Sequence, residues 1–84
     1  MEKDFQINIS SPPDRERLVS EIMVNHVQWA EINQETGDLR VEFYPRPDAK
    51  PWNFSLEEAM EALVDAKKAL IESRSGRSAF FPDV

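Results

Sequence analysis

The hydrophobic period of the chain changes once, at Ser55, and this change limits the available folds more than any other feature. Before it, two segments place apolar residues at every second position. Phe5, Ile7 and Ile9 alternate with Gln6 and Asn8, and Leu39, Val41 and Phe43 alternate with Arg40, Glu42 and Tyr44. A period of two belongs to a strand with one buried face. After Ser55 the spacing becomes three and four. Leu56, Ala59, Met60, Leu63, Ala66 and Leu70 make the expected inner stripe of a helix, with Glu57, Glu61, Asp65, Lys68 and Glu72 outside. Strands first and one helix last predict an α+β fold: a small antiparallel β-sheet of three to four strands, in meander order, packed against one long C-terminal α-helix.

The boundaries carry their own chemistry. Ser55-Leu56-Glu57-Glu58 is a capping box, in which the Ser55 hydroxyl takes the Glu58 amide, and Phe54 before it can staple against Ala59. Glu57 and Glu58 early and Lys67 and Lys68 late suit the helix dipole, and Gly76 marks the latest stop. At the other end, Ser10-Ser11-Pro12-Pro13 closes the first strand, because consecutive prolines have no amide to donate. Ser11 and Asp14 then fit the start of a short turn.

Residues 15–34 admit two readings. Leu18, Val19, Ile22, Met23, His26, Val27 and Ala30 follow helical spacings. Read as strands, Leu18 to Val24 and Val27 to Asn33 flank Asn25-His26, two residues that tolerate the positive φ of a tight hairpin. Ile22, Val24, Val27, Trp29 and Ile32 prefer strand, which favours the hairpin. A second hairpin follows, with Glu35-Thr36-Gly37 as a three-residue loop and glycine at its left-handed position. That loop pairs Gln34 with Asp38 and sets Trp29 across from Phe43, on the face of Leu39 and Val41. A slip of one residue would put Ala30 and Ile32 on that face and turn Trp29 outward.

An 84-residue chain has room for one modest core, and 40% hydrophobic against 31% charged residues is a globular balance. Residues 1–76 are expected to form a single domain, with 77–84 as a C-terminal tail in which Phe80 and Phe81 either dock or stay mobile. Cysteine is absent, which excludes disulfides, a thiol nucleophile and a zinc-thiolate site. The charged start and the lack of a long apolar run argue against a signal peptide or a spanning helix, and point to a cytoplasmic protein.

The chemistry points to binding. His26, the only histidine, falls in a hairpin turn, and Gly37 and Gly76 lie too far apart for a phosphate-cradling loop. Glu57, Glu61 and Asp65 recur every four residues as a solvated acidic ridge, so no metal, cofactor or catalytic residue is expected. A net charge of −6 disfavours nucleic acid and anionic lipid as partners.

Two surfaces remain. With Trp29 inside, the outer sheet face carries Val19, Met23, Ala30, Ile32 and Tyr44 among Glu21, Gln28, Arg40 and Glu42, and is apolar enough to meet a protein partner or a second copy. The connector between the last strand and the helix gathers Tyr44, Arg46, Lys50 and Trp52 between Pro45, Pro47 and Pro51, as a stiff bridge that also offers a ring and charge patch. The leading expectation is a small, acidic protein-binding module without catalytic activity. It either self-associates or neutralises a protein partner, in the manner of an immunity protein or antitoxin by analogy of size and acidity alone. The alternative is a single-stranded nucleic-acid or peptide-binding module that uses the loop patch, Arg46, Lys50 and Trp52.

Overall fold

The computed structural model describes residues 5–74. Strands β1 (Phe5–Ser10), β2 (Val19–Val24), β3 (Val27–Asn33) and β4 (Arg40–Phe43) form one antiparallel meander in the order β1-β2-β3-β4, followed by a helix, α1 (Leu56–Arg74). This is the α+β architecture that the change of period predicts. Gly76, Phe80 and Phe81 lie outside the described residues.

Local chemistry acts where the residues place it. Asn25 and His26 adopt φ of 50° and 72°, the two left-handed positions of a tight turn, so 19–33 is a hairpin and not a helix. The Glu58 amide donates to the Ser55 hydroxyl at 3.3 Å, and the Ala59 amide to the Ser55 carbonyl at 3.0 Å, which starts α1 at its cap.

The β3–β4 register departs from expectation. Ala30 pairs with Phe43, Ile32 with Val41 and Asn33 with Arg40, one residue away from the three-residue-loop alignment. The turn is longer: the Gly37 amide donates to the Gln34 carbonyl at 3.3 Å, and Gly37 sits at φ +95° inside it. Ala30 and Ile32 therefore lie on the helix side, not on the outer face, and are 0% and 6% exposed. Trp29 is nevertheless inside as well, at 7%.

A β-bulge lets both occur. Ile22 pairs with Ala30, but Met23 pairs with Gln28, so Trp29 is an extra residue on β3 with no partner on β2. A bulge resets the two-residue alternation. Trp29 and Ala30, adjacent in sequence, both join the core, where Trp29 meets Phe5, Phe43 and Phe54 at ring separations of 5.7, 5.4 and 5.0 Å.

The helix is rotated from its expected setting. Its buried stripe is Ala62, Ala66 and Leu70, with Ala59 and Leu63 partly buried, whereas Leu56 and Met60 are 71% and 53% exposed. Alanines allow close approach to the sheet, and α1 settles over β1 and β2, touching only the margin of β3. It has no Cα within 8 Å of β4. Val41 and Phe43, expected beneath the helix, consequently remain largely exposed.

Candidate interaction surface

The outer sheet face is already occupied by the chain itself. Three glutamates stand in register across it, Glu21 opposite Glu31 and Glu31 opposite Glu42. Like charges directly opposed on neighbouring strands repel, and Glu31 is only 5% exposed. The β1–β2 connector supplies the compensating cation: Arg15 Nη2 lies 2.9 Å from both Glu31 Oε2 and Glu42 Oε1. Its hydrogen bond to Glu42 leads, and with the charges of Glu31 and Glu42 pushes the guanidinium further toward its protonated form, against the opposing cost of burial. The Tyr44 hydroxyl donates to Glu31 Oε1 at 3.0 Å, and burial followed by that hydrogen bond pushes the phenol up to about 12.

The same connector is strapped down at two more points. Both carboxylate oxygens of Glu35 accept backbone amides, from Glu16 at 3.2 Å and Arg17 at 3.0 Å, and Gln34 Nε2 donates to the Leu18 carbonyl at 3.1 Å. Of the residues expected to form an outer interface, Val19 is fully buried, Ala30 and Ile32 face the helix, Met23 is half-buried, and Tyr44 has its hydroxyl on Glu31.

The loop patch is brought together, and its groups are tied to one another. Arg46 makes two hydrogen bonds to Asp48, Nε to Oδ1 at 3.0 Å and Nη2 to Oδ2 at 2.7 Å, and its guanidinium carbon lies 5.5 Å from the Trp52 ring centre. The Trp52 indole N–H donates to the Tyr44 carbonyl at 2.8 Å. Asp48 also accepts the Lys50 amide at 3.1 Å, and the Arg46 bonds followed by that amide hold its carboxyl below the usual range. Ala49, at φ 65°, closes the turn by donating to the Arg46 carbonyl at 3.1 Å. These bonds make the stretch a rigid bridge, which flanks a shallow hollow of about 260 Å³ beside Val24, Val27 and Phe54.

A strongly apolar open surface lies elsewhere, in the angle between α1 and β4. Ile32, Leu39, Val41, Leu63 and Val64 line a groove of about 340 Å³, together with Arg40 and Lys67. Its walls continue along the helix through Met60 and Leu56 at steps of four, and along the strand to Phe43. At about 100° per residue, the apolar arc of α1 runs from Ala69 round to Val64, roughly 200°, interrupted only by Lys67, Ser73 and Arg74. A helix with one packing surface needs about half that width. The doubled stripe is visible in the sequence as Leu56-Met60-Val64 beside Ala62-Ala66-Leu70; treating the helix as one-sided merges the two. Arg15 carried no such local signal, because its partners lie 16 and 27 residues away.

Among the described residues no helix is long and apolar enough to cross a membrane, and no three His, Asp or Glu side chains gather as a metal site. No protein-family model, curated protein or solved structure matches the chain.

Proposed function

We propose that this protein is a binding module that engages another polypeptide through the groove between α1 and β4. The carrying observation is the offset of the helix, which shields β1 and β2 and leaves the helix side of β4 open, with Val41 42%, Phe43 55%, Met60 53% and Val64 51% exposed. A core-facing strand surface left uncovered beside an apolar helix wall is an interface pattern, larger than scattered surface residues require. This moves the interaction surface from the outer sheet face to the opposite side of the sheet.

The loop-patch reading is weaker on the same grounds. Asp48 neutralises Arg46, which leaves Lys50 as the remaining charge beside Trp52, too little to hold phosphates on a chain of net charge −6.

A photo-crosslinking amino acid at Val64, compared in host cells with the same group at Glu21 on the outer face, tests the reading. A protein adduct from Val64 and none from Glu21 supports it. No adduct from Val64 overturns it.

A further inference from the structure

We infer that the occupant of this groove is a second copy of the chain, bound with the two α1 helices antiparallel. The inference rests on the groove being the interaction surface and adds the identity of what fills it. Two observations carry it.

The first is charge. The flank of α1 that borders the exposed stripe on its solvent side holds Glu57 and Glu61 in the first half and Lys68, followed by Glu72, in the second. Two such helices related by a two-fold axis near Leu63 and Val64 bring Lys68 of each copy opposite Glu57 and Glu61 of the other. A parallel two-fold pair would instead turn this flank toward the Leu63 and Leu70 side of the second copy, where Lys68 finds no carboxylate. An isologous contact must complement itself, and only the antiparallel arrangement does so. Lys67, inside the stripe, falls near Met60 of the second copy, where its methylene stem can lie on the apolar wall while the ammonium reaches solvent.

The second is size. Leu56, Met60, Val64, Val41 and Phe43, at 71%, 53%, 51%, 42% and 55% exposure, together present on the order of 500 Å² of apolar surface per copy, toward the upper end for a lone monomer. Two copies would cover about 1,000 Å², the lower bound for a specific dimer. Val64 of the helix and Val41 of the strand line one groove, so one copy's helix can lie along the other's while covering its Val41.

Sedimentation equilibrium of the purified protein at low salt, from micromolar to millimolar concentration, tests this. A monomer–dimer equilibrium is expected. Val64→Glu should raise the dimer dissociation constant by more than about tenfold, since it sets an unpaired charge in the centre of the contact. Lys68→Glu should raise it by about tenfold, and Glu57→Lys with Glu61→Lys added to Lys68→Glu should restore it. These positions are exposed, and circular dichroism of each variant is the control for folding. A monomer at every concentration, a dimer indifferent to Val64→Glu, or a triple variant no better than Lys68→Glu would each overturn the antiparallel pair. A monomer that still gives a Val64 adduct to a different protein would leave the groove as the binding surface with another occupant. No Val64 adduct of any kind removes the groove reading itself.

Discussion

Glu31 and Arg15 meet at 2.9 Å on the outer face of the sheet, and this contact joins the β1–β2 connector to three glutamates aligned across the strands. Glu31 stands between Glu21 and Glu42 and is nearly enclosed. An isolated buried carboxylate is costly, and the guanidinium that offsets it comes from a proline-flanked connector with no secondary structure of its own.

Arg15→Ala should therefore lower the thermal midpoint, because it leaves Glu31 facing two glutamates without a cation. Glu31→Gln in the same background should recover much of the loss, since the remaining amide carries no charge. A double-mutant cycle by thermal unfolding measures the coupling. Strictly additive effects would mean that the pair contributes nothing.

Tyr44 is the single tyrosine of the chain, so its ionisation can be followed directly by phenolate absorbance. The midpoint should lie near 12, against 10 for an unperturbed phenol. The contribution to stability is complete below pH 10. From 10 to about 12 the unfolded chain ionises while the folded one resists, so stability falls as pH rises. Glu31→Gln should bring the midpoint back toward 10, because it removes the acceptor charge.

Trp29→Ala should cost about 3–5 kcal/mol by denaturant unfolding, as for other large aromatics removed from a core. The indole touches three phenyl rings, Phe5, Phe43 and Phe54, and fills the bulge that bends β3. A loss under about 1 kcal/mol would place the indole outside the core.

His26→Gly should stabilise the protein by up to about 1 kcal/mol, less whatever glycine adds to the entropy of the unfolded chain. His26 sits at φ 72°, where a Cβ is strained, and Asn-Gly is the preferred pair for this turn. Destabilisation would show that the imidazole has a structural contact of its own.

Much of the architecture was readable along the chain because its causes act over a few residues. The alternation in Phe5-Ile7-Ile9 makes a strand, Asn25-His26 makes a turn, and the Ser55 hydroxyl with the Glu58 amide starts a helix. Each of these pairs a side chain or dihedral with a neighbour, so the residue types themselves carry the information.

Three features depended on how separate elements fit together in space. The bulge at Trp29 places both that indole and Ile32 inside, where strict alternation allows only one, because the core had room for both and one unpaired residue on β3 could reset the pleat. The rotation of α1 onto Ala62 and Ala66, away from Leu56 and Met60, came from the close approach that small side chains permit above β1 and β2. Arg15 found its carboxylates across a gap of 16 and 27 residues. Periodicity states which residues can share a face; packing volume and long-range charge choose among the faces, and here they moved the open apolar surface from the outer sheet to the groove beside β4.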